Sequence, residues 1–153
     1  MRIHSLTSKE ILKALGIGIV TSLLLSTVMV PAIKSGISPL PKPLSLAFAT
    51  TLFGRKLPMP VGLLFHVAYV TFWSMAYVAL FWNRLTFMRA LWLALVLWGL
   101  VLVFFFPFVG WGFLGLAITP KLILASFVPH FLFAFFLWGL CKLGFKKRQS
   151  IQQ

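Results

Sequence analysis

The stretch FMRALWLALVLWGLVLVFFF, residues 87–106, contains a single charged side chain, Arg89. A bilayer span needs about 20 predominantly apolar residues, so this stretch predicts a transmembrane helix. Three further apolar runs of similar length, at 14–33, 61–82 and 121–141, predict three more. Together the runs occupy over half of the 153 residues, which leaves no room for a soluble domain. The sequence therefore predicts an all-α membrane protein in which residues 1–153 form one integral membrane domain.

The charge composition excludes several kinds of chemistry. Charged residues make up 10% of the chain, against about 25% in soluble domains. Glu10 is the sole acidic side chain, beside 14 Lys and Arg, three His and one Cys. Paired-carboxylate catalysis, an acidic proton relay and a Ser–His–acid triad are excluded, and metal clusters lack ligands. This composition favours a non-catalytic protein over an enzyme.

The first predicted span carries a start signal and a packing face. Thr7-Ser8-Lys9-Glu10 matches a capping box, so the helix should begin near Ser8. Gly18, Ser22 and Ser26 recur every four residues, a spacing at which small side chains let two helices approach closely. We expect this face to pack inside the protein, with contact to a second copy as the alternative.

Two connections between the spans are distinctive. The longest, from Pro31 to Pro60, contains an apolar stretch at 44–53 that is too short to span a bilayer. We predict a short interfacial or re-entrant helix there, in the first outer loop. The connection at 107–120 is apolar and rich in glycine, which predicts a compact loop at the bilayer surface.

The distribution of basic residues predicts the orientation. Nine Lys and Arg lie in the N-terminal segment, the turn between the second and third spans, and the C-terminal end, against five on the other side. The positive-inside rule then puts both termini in the cytoplasm. At the C-terminal end, Lys146, Lys147 and Arg148 are predicted to contact anionic lipid head groups. The charges lie between and beyond the spans rather than on one face, so nucleic acid is not an expected partner.

Two histidines inside the predicted spans are the candidate functional residues, because ionisable groups within a membrane are costly. In the second span His66, Tyr69 and Trp73 follow at intervals of three and four residues, which lines one helical face. In the fourth span Ser126 precedes His130 by one turn. Both spans enter from the outer side. Both histidines should therefore lie in the outer half of the membrane, at depths that differ by about 6 Å.

Several interpretations of this histidine pair stay open. The rings can hydrogen-bond between helices, to a Tyr, a Ser or a freed carbonyl. They can bind a quinone, a lipid or another small amphiphile between the helices. They can also ligate haem b as an axial pair, or serve a proton or pH role. In each case we expect the rings to face the interior of the bundle.

Three short segments follow one another in a distinctive order. Leu52-Phe53-Gly54 ends the short apolar stretch, VGLLFH at 61–66 opens the second span, and Val128-Pro129-His130 lies in the last. This order resembles the small, uncharacterised four-span inner-membrane families of bacteria and archaea. The resemblance implies a four-span fold in the cytoplasmic membrane, and it implies no activity.

By elimination, the sequence favours an accessory or assembly subunit that packs against other subunits of a larger membrane complex and needs no cofactor. The alternative is a small carrier that uses His66 and His130, with Tyr69, Trp73 and Ser126, to bind haem b, a quinone or a lipid. A transporter of neutral or anionic solutes ranks below both, because one four-helix unit encloses little space.

Overall fold

A computed structural model of the chain describes residues 7–145. Five helices follow one another: α1 Ser8–Lys34, α2 Leu44–Phe53, α3 Met59–Leu80, α4 Phe87–Phe108 and α5 Lys121–Gly144. Within the described residues there is no strand, and α1, α3, α4 and α5 are long and apolar enough to cross a membrane. The predicted fold class is confirmed. Lys146, Lys147 and Arg148, predicted to contact lipid head groups, lie outside the described residues.

The helices begin and end close to the predicted spans, with one clear extension. Whereas the first span was placed at 14–33, α1 already begins at Ser8. The predicted capping box accounts for this start, since the Thr7 N–H donates to the Glu10 carboxylate at 2.9 Å. The apolar run marks the part suited to lipid, and the cap marks where the helix itself starts.

The four long helices pack antiparallel, with α1 and α5 in the centre. α1 lies along both α3 and α5, and α4 lies along α5, whereas α3 and α4 have no comparable backbone contact within residues 7–145. The predicted small-residue face of α1 makes its closest approach. A Cβ added at Gly18 would lie 2.7 Å from the Cα of Thr71 on α3. Ser22, one turn further along, is fully buried.

The two ends of the bundle differ. At one end, here called the terminal end, the Lys13 ammonium donates to the Gly144 carbonyl at 3.4 Å. The ring centroids of Trp82 and Phe145 lie 5.4 Å apart at the same end. The start of α1, the α3–α4 turn and the end of α5 therefore lie together. The opposite end holds α2 and residues 109–120, and is called the loop end.

At the loop end α2 packs directly on the start of α3. A Cβ added at Gly62 would lie 2.6 Å from the Cβ of Leu46, and Ala47 and Ala49 are buried. The short helix predicted at 44–53 is therefore confirmed in its bounds. It forms part of the bundle wall.

The connection after α4 folds back as a compact cap, as predicted. The Trp111 N–H donates to the Phe106 carbonyl at 2.8 Å, and the two rings lie 5.4 Å apart. Gly112 and Gly115 have φ of 78°, a left-handed conformation that glycine adopts without steric cost. The cap closes the loop end of the bundle over α4 and α5.

Candidate ligand cavity between the helices

The loop-end half of the bundle contains a partly open cavity of about 500 Å³. Its walls come from all five helices and are almost entirely apolar. Tight packing around Tyr77 and Leu137 lies on the terminal side, and a second cluster around Phe106 and Leu122 lies on the loop side. Small-molecule sites in proteins typically measure about 300–1,000 Å³. The size of this cavity therefore suits an organic ligand.

The cavity brings together every candidate residue of the two histidine-bearing spans. His66, Tyr69 and Trp73 line it from α3, and Ser126 and His130 line it from α5. Both histidine rings therefore face the interior of the bundle, as predicted. Although their depths were expected to differ by about 6 Å, they share one cavity.

His130 is held by a hydrogen bond within its own helix. Its Nδ1 lies 2.7 Å from the main-chain carbonyl of Ser126. A carbonyl oxygen can only accept, so Nδ1 donates. A hydrogen bond from a histidine to another helix was one of the expected interactions. The hydrogen bond of His130 stays within α5, because the ring reaches the main-chain carbonyl one turn earlier in its own helix.

The Ser126 hydroxyl already has partners of its own. It donates to the Ile123 carbonyl at 3.0 Å and accepts from the Trp98 indole N–H at 3.1 Å. Trp98 also contacts the Ile123 carbonyl, at 3.2 Å. Trp98, which was not among the predicted site residues, thus links α4 to α5 by hydrogen bonds. The available signal was its indole N–H, which needs an acceptor when buried.

On the α3 wall two polar atoms lack a well-formed hydrogen bond. The Nε2 of His66 is closed off by its neighbours and has no partner, and the ring lies beside the main chain of Ser22. The Tyr69 hydroxyl lies beside Trp73 and is likewise unsatisfied. A buried polar group without a partner costs about 1–3 kcal/mol. Both atoms are sealed by their neighbours, so neither is open to a molecule in the cavity in this structure.

Aromatic side chains close the gap between α3 and α4. The ring centroid of Phe48 on α2 lies 6.1, 5.4 and 5.1 Å from the ring centroids of Phe65, Phe105 and Phe108. Tyr69 meets Phe105 at 5.8 Å. This aromatic cluster stands where the two helix backbones do not pack directly. On this side the wall of the cavity is formed by side chains rather than by packed helix backbones.

Phe105 ends a π-helical segment of α4, Val101–Phe105, that was not predicted. The third span was placed at 87–106, whereas the helix continues to Phe108 through this segment. Such segments insert a residue into an α-helix and occur frequently at functional sites. Here Val101 and Phe105 both line the cavity.

Charge is absent from the cavity walls as far as residues 7–145 define them. The lining residues include no Lys, Arg, Asp or Glu. An ion without a partner is costly to remove from water, so a charged ligand group would be poorly accommodated. The site is chemically suited to a neutral molecule.

No protein-family model, curated protein or solved structure matches this chain. The resemblance to small four-span inner-membrane families stays a prediction. The fold defines the class of protein: residues 7–145 form an all-α bundle in which four helices are long and apolar enough to cross a membrane.

Proposed function

We propose that this protein binds a small, neutral, largely apolar molecule inside the membrane, between its helices. The observation that carries the proposal is the apolar cavity of about 500 Å³ lined by both His66 and His130. This is the quinone- or lipid-binding alternative of the sequence analysis.

The composition of the walls supports a ligand rather than an unfilled packing defect. Ligand sites combine a predominantly apolar lining with a few convergent polar groups that fix orientation. Here the polar groups are the imidazole rings of His66 and His130 and the hydroxyl of Tyr69. The Nε2 of His66 and the Tyr69 hydroxyl are sealed by their neighbours, which leaves the ring of His130 as the polar group open to a ligand.

The same features favour a neutral amphiphile over haem b. Haem carries two carboxylates, and the described lining residues include no Lys or Arg to pair with them. Axial ligation by the pair needs a ring nitrogen of each histidine directed at one iron. The Nε2 of His66 is closed off from the cavity. A visible spectrum of the purified protein tests the haem alternative, which predicts a Soret band.

Filling the cavity tests the proposal. Ser26 lines the cavity from α1, whereas its neighbour Thr27 is exposed on the outside of the bundle. We expect Ser26→Phe to weaken binding of 1-dodecanol at least about tenfold, because an added ring occupies the ligand volume and overpacking costs about 1–3 kcal/mol.

Thr27→Phe is the matched control, since it also exchanges a hydroxyl side chain for a phenyl ring on α1. Native mass spectrometry of the detergent-purified protein counts one-to-one adducts. Equal binding by Ser26→Phe and Thr27→Phe would contradict a ligand site in the cavity.

The accessory or assembly subunit stays a prediction. It is compatible with ligand binding, because a subunit of a larger complex can hold a small molecule between its helices. Stoichiometric co-purification of other membrane proteins from mild detergent would support it.

A further inference from the structure

The polarity of the ligand's head group can be inferred from His130, and this inference rests on the proposed function. We infer that the cavity selects a neutral amphiphile whose head group carries a hydroxyl, which donates a hydrogen bond to Nε2 of His130. The shared chemistry is an apolar body with an O–H donor. An aliphatic lipid alcohol and an alkyl hydroquinone both provide it.

The position of the proton on the His130 ring determines which ring nitrogen can accept a hydrogen bond from a ligand. Nδ1 lies 2.7 Å from the Ser126 carbonyl, which can only accept, so the proton is on Nδ1. A neutral imidazole has one donor and one acceptor nitrogen, and the partner of one nitrogen determines the role of the other. Nε2 therefore carries a lone pair and acts as the acceptor.

The ring is held in the orientation that makes this acceptor available. Pro129 and Phe133, on the same face of α5, also line the cavity. Nε2 of His130, unlike that of His66, is not sealed by its neighbours, and no partner for it is found among residues 7–145. A ligand group beside His130 would therefore face the acceptor Nε2, which receives no hydrogen bond from residues 7–145.

The walls contain no charged side chain in the described residues, so an ammonium donor would be buried without a counter-charge. A hydroxyl supplies the donor and remains neutral. An ether or the carbonyl of an oxidised quinone supplies only acceptors, which cannot pair with the lone pair on Nε2. The site should therefore distinguish molecules that differ by one O–H proton.

Two matched ligand pairs test this selectivity. The first pair is 1-dodecanol and dodecyl methyl ether, and the second is a decyl-substituted hydroquinone and its quinone, kept reduced or oxidised. We expect the hydroxyl member to bind about five- to tenfold more tightly in at least one pair, in line with a neutral hydrogen bond. Preference in the first pair assigns an aliphatic hydroxyl to the head group. Preference in the second pair assigns a phenolic one.

The variants locate the effect at His130. His130→Phe should bind both members of the pair that shows the preference equally, whereas Leu124→Phe, at an exposed position on the same helix, should keep the preference. A preference that persists in His130→Phe overturns the inference. Nitrogen-15 NMR of histidine-labelled wild-type protein, with His66→Gln for assignment, should find the proton of His130 on Nδ1. This measurement does not depend on how well His130→Phe folds.

The outcomes separate the two claims. Equal binding within both pairs, or a proton on Nε2, overturns the hydroxyl inference and leaves the cavity as a binding site. Binding of none of the four molecules overturns the proposed function itself.

Discussion

His66 and His130 lie in one cavity, yet their ring nitrogens are in different situations. His130 is oriented by the carbonyl one turn earlier on α5, at 2.7 Å. His66 has a closed-off Nε2 without a partner. Sequence reasoning selected the two residues on equal grounds, namely the cost of an ionisable group inside a span. The His130 bond is local to α5, whereas His66 lies beside the main chain of Ser22 on α1, a contact that spacing along the chain does not reveal.

A second residue-scale feature is the glycine that lets α1 approach α3. Replacing Gly18 by Ala should destabilise the bundle by about 1–3 kcal/mol. The added Cβ would lie 2.7 Å from the Cα of Thr71, so a backbone would have to shift. The midpoint of unfolding in a mixed-detergent titration measures the change.

Gly16→Ala is the control on the same helix, because nothing lies within 4 Å of a Cβ at that position. It should leave the unfolding midpoint unchanged or raise it slightly, since Ala is a better helix former. If Gly18→Ala is as stable as Gly16→Ala, the close contact between α1 and α3 is not the one described.

At the scale of elements, the π segment of α4 forms part of the cavity wall. Deleting Val103, which is exposed, should restore α-helical spacing across Val101–Phe105. A π segment accommodates one extra residue, so the deletion should remove the wide turn and leave Phe105 and Phe106 on the cavity wall. We expect 1-dodecanol to bind as it does to the unaltered protein, and circular dichroism still to record a helical protein.

Val103→Ala is the control for this deletion, because it keeps the residue count and hence the π segment. Its binding should match that of the unaltered protein. Loss of binding after the deletion, with binding kept in Val103→Ala, would contradict the assignment of Val101–Phe105 as an α-helix with one inserted residue.

At the scale of the whole molecule, the terminal end holds the start of α1, the α3–α4 turn and the end of α5. The positive-inside rule assigns this end to the cytoplasm. A cytoplasm-reporting fusion should therefore be active when attached at Gln153 and inactive when inserted at Lys42. The reverse pattern would place the cavity in the inner half of the membrane, because it lies in the loop-end half of the bundle.

The sequence by itself determined the class of fold and the positions of the helices. Apolar runs of sufficient length define the four spans. A capping box defines the start of α1 at Ser8, and the length of the stretch at 44–53 excludes a fifth span. These are local properties, because backbone hydrogen bonds within a membrane must be satisfied inside each helix. The interior position of both histidines was also predictable, from the cost of exposing them to lipid.

Only the tertiary structure decided that the helices leave a cavity and what its walls offer. Ser26, Phe48 and Phe105 come from three different helices and line it together. The π segment lies within a run that is apolar on all sides, so no periodicity marks the extra residue. Free volume depends on how side chains from separate helices fill the space between them, and that fit exists only once the helices have packed.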